Sequence, residues 1–179
     1  MTQLVTPNGR YARSFRELLI EAAEVGEIVP WDPEIDCTDI ELARRIELMA
    51  EGNWEPVAAD RPPIPTSHYW WVQDLEILGR ISLRHELVGD FGQSHGHIGY
   101  GVRPTARNQG HATSMLRQTL IKAREIGLTS VLITCDPDNI ASQKVVTNCG
   151  GVLRDNFRDE VLRFDVPTAS NDMAPHKGE

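Results

Sequence analysis

The segment VRPTARNQGHA, residues 102–112, crowds Arg103 and Arg107 around Gly110 where a strand gives way to a helix. A helix beginning near Gly110 leaves its first backbone N–H groups without partners and carries roughly half a positive charge at that end. Phosphate is a natural ligand there. Gly110 lets a ligand approach the backbone without meeting a Cβ, Ala112 keeps the next turn small, and Arg107 can add a charge-assisted hydrogen bond. The same residues also suit a solvent-facing turn whose glycine simply begins a helix. The segment by itself does not separate the two.

Other residue types able to do chemistry flank this junction. Asn139 and Ser142 stand three apart in DPDNIASQ, where either side chain can cap a helix. His97 and Tyr100 lie in GHIGY, and His85 and Glu86 end the strand-like run before it. All four tryptophans, Trp31, Trp54, Trp70 and Trp71, precede the junction. With Tyr69 they suggest an aromatic wall for a cationic or flat ligand. Core packing is the competing expectation for Trp70 or Trp71, since adjacent strand residues face opposite ways. Three cysteines, Cys37, Cys135 and Cys149, cannot all pair and lack the close Cys/His spacing of a zinc site. They read as small thiols in a reducing compartment, and no metal is expected.

The elements that position these residues follow from periodicity. QLVT reads as a short strand closed by the turn PNG. From Tyr11 to about Val25 the spacing of Phe15, Leu18, Leu19 and Ala22 predicts a helix stopped by Gly26. Thr38 and Glu41 form a capping box ahead of the stripe Leu42, Ile46 and Met49, and Gly52 ends that helix. The proline-rich EPVAADRPPIPTS reads as a loop that could border a cleft. HYWWV, GRISLRHEL and the glycine-rich HGHIGYGV follow as three strands, then a helix from about Gly110 to Ile126. SVLITC has the continuous apolar run of a doubly buried strand. A helix from about Asn139 to Asn148 precedes a closing hairpin, VLRDNF and VLRFDV. This order predicts an α/β (α+β) fold with a mixed central sheet of about seven strands and about four flanking helices.

The chain has 179 residues, which predicts one domain over 1–166 followed by a polar, disordered tail over 167–179. Its net charge of -8 argues against a nucleic-acid or anionic-membrane partner; it suits a cationic small molecule or peptide, and equally serves solubility alone. The first residues lack the apolar core of a signal peptide, and no apolar run approaches the ~20 residues of a membrane span. A cytoplasmic location is expected. No G-x-x-x-x-G-K-[ST] or G-x-G-x-x-G follows a strand, which weakens an ordinary nucleotide site.

The block IGYGVRPTARNQGHATSMLRQTLIKA resembles motif A of the GNAT superfamily of acetyl-coenzyme A-dependent N-acetyltransferases, whose Gln/Arg-x-x-Gly-x-Gly/Ala is met by Arg107, Gly110 and Ala112. DPDNIASQKVVTNCGGVL resembles the family's next segment through Asn139 and Ser142. The element order fits the superfamily along nearly the whole chain, and the block is similar to a bacterial subgroup of acetyltransferases. The resemblance implies a sheet splayed between its fourth and fifth strands, with an acetyl thioester in the gap. It implies that backbone N–H groups of Arg107, Asn108, Gln109, Gly110, His111 and Ala112 hold the coenzyme's pyrophosphate. Val102 would pair with the pantetheine arm, with Asn139 and Ser142 lying along it. The expected partners are acetyl-coenzyme A and a small amine or peptide acceptor, with a homodimer left open because many members dimerise.

The implied reaction is direct attack of a primary amine on the thioester in a ternary complex. Deprotonating an alkylamine of pKa about 10.4 at pH 7 requires roughly 5 kcal/mol, whereas releasing a thiol of pKa about 8.5 as thiolate requires only about 2. A base therefore matters more than an acid. The family often takes the acid from a tyrosine seven positions after the asparagine, which here is Val146, so water, Tyr100 or Cys135 would substitute. His97 stands where relatives often carry a glutamate and is the first expectation for the base, with Glu86 and His85 next. Which of them faces the acceptor depends on strand register. The absence of the usual tyrosine keeps a second reading open, a non-catalytic acyl-coenzyme A sensor on the same fold.

Overall fold

In a computed structural model of the chain, residues 1–27, 37–52 and 64–168 are described. Strands β1 (Thr2–Val5), β2 (Thr66–Gln73), β3 (Glu76–Arg84) and β4 (Ile98–Val102) form one antiparallel sheet in that order. Strands β5 (Ser130–Cys135), β6 (Val152–Phe157) and β7 (Val161–Pro167) form a second, with β7 in the middle. Helices α1 (Ala12–Glu24) and α2 (Asp39–Ala50) precede β2. Helices α3 (Gly89–His95), α4 (His111–Glu125) and α5 (Ile140–Asn148) precede β4, β5 and β6 respectively.

Most of these elements begin where local chemistry demands. Thr38 caps α2 in a complete capping box, its hydroxyl accepting from the Glu41 N–H while the Glu41 carboxylate accepts from the Thr38 N–H at 2.7 Å. Arg158 and Asp159 both take positive φ at the β6–β7 turn, the geometry of a tight hairpin. Helix α3 was not expected. It occupies the stretch between the second and third expected strands of this region and overlaps the glycine-rich one only at His95. A Cβ on Gly92 would stand 2.8 Å from Leu87 Cα, and Gly96 ends the helix at φ 64 with its Cα against Leu132 of β5. The structure thus has five α-helices among the described residues, where about four were expected.

Two cores pack against opposite faces of the first sheet. Phe15, Leu18, Leu42, Ile46, Trp70, Val72 and Ile77 are buried between α1, α2 and the sheet. Trp71, Ile81, Leu83, Ile98, Met115, Leu116, Ile133 and Phe164 fill the space between both sheets, α4 and α5. Trp70 and Trp71 therefore anchor opposite cores and are 0% and 2% exposed. Trp70 lies 4.8 Å from the Phe15 ring, and the Trp71 indole N–H donates to His111 Nδ1 at 3.3 Å. They do not form the exposed aromatic wall considered from sequence; Trp31 and Trp54 lie outside the described residues. Residues 55–63 of the proline-rich stretch and the tail after Thr168 also lie outside them.

The two sheets meet edge to edge at β4 and β5 without forming a shared ladder. One residue closes the near end. The His97 N–H donates to the Leu132 carbonyl at 2.7 Å, and the Leu132 N–H donates to His97 Nδ1 at 2.8 Å. From that clamp the strands diverge toward the start of α4.

Candidate active site

Helix α4 begins at Gly110, which takes a left-handed φ of 78 and offers no side-chain cap. The first main-chain bond of the helix runs from the Ser114 N–H to the Gly110 carbonyl, so the amides just ahead have no helical acceptor. Asn108 is also left-handed, at φ 60, which turns the Arg107–Gly110 backbone tightly into the helix. A Cβ built on Gly110 would meet nothing within 4 Å, leaving the approach open.

The two arginines of this segment serve the backbone. Arg103 is 8% exposed and donates to Glu21 at 2.5 and 2.8 Å and to Glu76 at 3.3 Å, binding the end of β4 to α1 and β3. Those carboxylates raise its pKa, the Glu21 hydrogen bond most. The Arg107 Nε–H donates to the Val102 carbonyl at 3.1 Å, and its Nη2 pairs with Glu27. The Arg107 guanidinium, expected from sequence to reach a phosphate, is thus engaged in bracing its own loop. What faces outward is main chain.

Between β4 and β5 the backbone polarity is set by register. Arg84 N–H donates to the His97 carbonyl and Arg103 N–H to the Leu78 carbonyl. With Gly99 opposite Ser82 and Gly101 opposite Arg80, residues 97, 99, 101 and 103 hydrogen-bond to β3. Those of Ile98, Tyr100 and Val102 consequently point into the gap. The Tyr100 side chain crosses it: its hydroxyl lies 2.8 Å from Ser142 Oγ, and Ser142 N–H donates to Asn139 Oδ1 at 3.0 Å. Asn139 is thereby the N-cap of α5. Burial pushes Tyr100 up to about 12 and also raises the Cys135 thiol beside Ser142. Val146 is wholly buried, while the Tyr100 hydroxyl, the Ser142 hydroxyl and the Cys135 thiol cluster where β4 faces α5.

A cleft of about 550 Å³ opens on the α1/α2 face of the first sheet and reaches the gap. Two rows of directly paired residues pave it: His68, Ser82 and Gly99, then Trp70, Arg80 and Gly101. Gly99 and Gly101 give the last strand a floor without side chains. Asp136 and Asn139 line the end nearest α5, and Val102, Arg103 and Arg107 the end nearest α4.

His97, Glu86 and His85, expected from sequence to supply the base, do not line this cleft. The His97 imidazole is held in the strand clamp, and burial lowers its pKa. Glu86 is exposed beyond the end of β3, and His85 Nε2 lies 2.9 Å from Ser67 Oγ. Sequence reasoning missed His68, Arg80 and Asp136. His68 and Trp70 share a strand face by alternation, a signal available in HYWW, but only the pairing with Arg80 and Ser82 reveals which face holds the cleft.

A sequence profile described as the acetyltransferase (GNAT) domain matches residues 7–152. No curated protein matches the chain. Among solved structures, the microcin C7 self-immunity acetyltransferase MccE, in complex with acetyl-CoA and AMP, superposes with a TM-score of 0.66 at 15% identity, covering 93% of this chain and 92% of that one. RimJ of Mycobacterium smegmatis, in complex with CoA-disulfide, does so with a TM-score of 0.65 at 17% identity, covering 93% and 81%. An acetyl transferase of Salmonella typhimurium that modifies the N-terminal serine of ribosomal protein L7/L12 has a TM-score of 0.66 at 15% identity, covering 93% and 94%.

Proposed function

The chain belongs to the GNAT acetyltransferase family, and on that basis we propose that it transfers acetyl from acetyl-coenzyme A to a primary amine by direct attack while both are bound. One observation carries this reading: the gap between β4 and β5 is closed at one end by His97 and opens at the other onto the uncapped start of α4. Diphosphate suits the amides of Asn108, Gln109, Gly110, His111 and Ala112, whereas the Arg107 N–H expected to join them already donates to the Pro104 carbonyl at 3.4 Å. The Val102 N–H faces the gap and would hold the pantetheine arm, while Asn139 and Ser142 stand beside it. The inward Tyr100 N–H would polarise a thioester carbonyl, as a fixed donor does for developing negative charge.

For proton transfer, the Tyr100 hydroxyl is the group we assign to the leaving sulfur. A donor there matters modestly, because thiolate release costs only about 2 kcal/mol at pH 7. Tyr100→Phe is therefore expected to lower kcat by no more than about thirtyfold. At the amine, Glu27 is occupied by Arg107, which leaves Asp136 as the lining carboxylate able to attract the ammonium and relay its proton through water.

Calorimetry with acetyl-coenzyme A and thiol release with a panel of amines test the reading. Coenzyme binding with amine-dependent thiol release is expected. Binding without turnover for any amine would instead mark an acyl-coenzyme A sensor, the alternative that Val146 raises. Peptide N-termini belong in the panel because the similar Salmonella enzyme modifies one.

A further inference from the structure

Three nitrogen-bearing side chains crowd the cleft floor away from the gap. Trp70 is 0% and His68 9% exposed; Trp70 Nε1 and His68 Nε2 are both fully shielded and have no hydrogen-bond partner. Both residues line the cleft, two apart on one face of β2. Directly across β3, Arg80 pairs with Trp70 in the ladder and lines the same cleft. Burial lowers its pKa to about 10, so it stays charged at neutral pH. Arg80 is engaged by the protein as well, and what it brings to the cleft is a buried positive charge.

An indole N–H can only donate, and leaving it buried and unmet costs about 1–3 kcal/mol. Burial lowers His68 to about 4, so the ring is neutral, and its Nε2 donates in one tautomer and accepts in the other. A cationic group could not satisfy the indole N–H, which only donates, and would be repelled by Arg80. An oxyanion accepts from the indole, accepts from His68 in its Nε2–H tautomer, and is attracted by the Arg80 charge.

We propose that the acceptor carries a carboxylate or phosphate that docks on Trp70, His68 and Arg80 while its amine points toward the β4–β5 gap and Asp136. This rests on the acetyltransferase reading and narrows its substrate class. It also adds an anionic group to the small amine or peptide acceptor expected from sequence. Strands lie about 4.8 Å apart, so a group over β2 and β3 stands on the order of 5–10 Å from an amine at the far edge of β4. That span suits an ω-amino acid or an amino phosphate and exceeds the reach of glycine.

Binding tests this without requiring turnover. The full chain is titrated calorimetrically, with and without coenzyme A, against glycine, γ-aminobutyrate, ε-aminocaproate, phosphoethanolamine, chain-matched alkylamines and putrescine. The oxyanion-bearing amines longer than glycine are expected to bind at least about tenfold tighter than the matched alkylamines and putrescine. Trp70→Phe, which keeps the ring and deletes the donor, is expected to cut that ratio several-fold, and Arg80→Met to cut it further. Comparison of carboxylate with phosphate identifies which oxyanion is preferred. Putrescine or alkylamines binding as tightly, no binding by any of them, or a ratio unchanged in Trp70→Phe would overturn the proposal. Thiol release is read separately, so failed acetyl transfer and a failed oxyanion site give different results.

Discussion

Individual residues here have consequences set by which atoms are already engaged. Gly101 ends the Trp70–Arg80 row, and a Cβ there would meet nothing within 4 Å. Gly101→Val should leave the melting temperature nearly unchanged while narrowing the cleft, lowering kcat/KM for the amine by roughly tenfold or more. Thermal melts beside steady-state kinetics check both halves. On the neighbouring strand Gly79 has no such freedom, since its Cβ would lie 2.9 Å from the Gly101 carbonyl oxygen. His97 offers a different contrast. Its Nδ1 accepts the Leu132 N–H, a bond that Asn can imitate and Ala cannot. His97→Ala is expected to raise the KM for acetyl-coenzyme A several-fold and His97→Asn to restore most of it. If Asn behaves like Ala and activity tracks a pKa near that of histidine, the imidazole is the base after all.

At the level of elements, stability resides in caps and packed stripes that face away from the cleft. The Thr38–Glu41 box secures α2, whose Leu42, Ile46 and Met49 cover one face of the sheet. Thr38→Ala removes the acceptor for one orphan amide and should cost about 1 kcal/mol in urea unfolding, with coenzyme affinity unaffected. A simultaneous loss of coenzyme binding would mean that α2 is coupled to the gap. The start of α4 is the reverse case. It has no side-chain cap, and its open amides are what the coenzyme's phosphates would satisfy. Arg103 and Arg107 hold that exposed turn against α1 and Glu27.

Across the whole molecule, buried His68 and half-buried His97 tie folding to pH. His68 falls from 6.5 to about 4 and His97 is also lowered, in both cases chiefly because burial disfavours the charged ring. Above pH 6.5 both are neutral in the folded and unfolded chains, and stability is full. As pH falls below 6.5 the unfolded chain takes up protons first, so stability declines until the folded pKa is reached. His68 alone accounts for about 1.4 kcal/mol per pH unit through most of that interval. Thermal unfolding is expected to show a falling melting temperature from pH 6.5 to about 5, a window above most carboxylate titration, with a shallower slope in His68→Gln. An identical slope in that variant would show that His68 is not buried as described.

Much of the fold was legible in the sequence because its signals are local. The capping box, the stripe of α1, the apolar run of β5 and the Asn139 cap each concern residues within a few positions of one another. The uncapped glycine start of α4 was readable for the same reason, and with it the phosphate-binding expectation. Helix α3, the burial of both Trp70 and Trp71, and the engagement of His97 and Arg107 were not readable. The side-chain placements depend on partners far along the chain: Leu132 for His97, Glu27 for Arg107, Phe15 for Trp70 and His111 for Trp71. Sequence determined which elements form and where main chain is left open. Only the tertiary structure decided which face of the sheet holds the cleft and which side chains are free to act there, because strand register, which sets both, is a relation between distant segments.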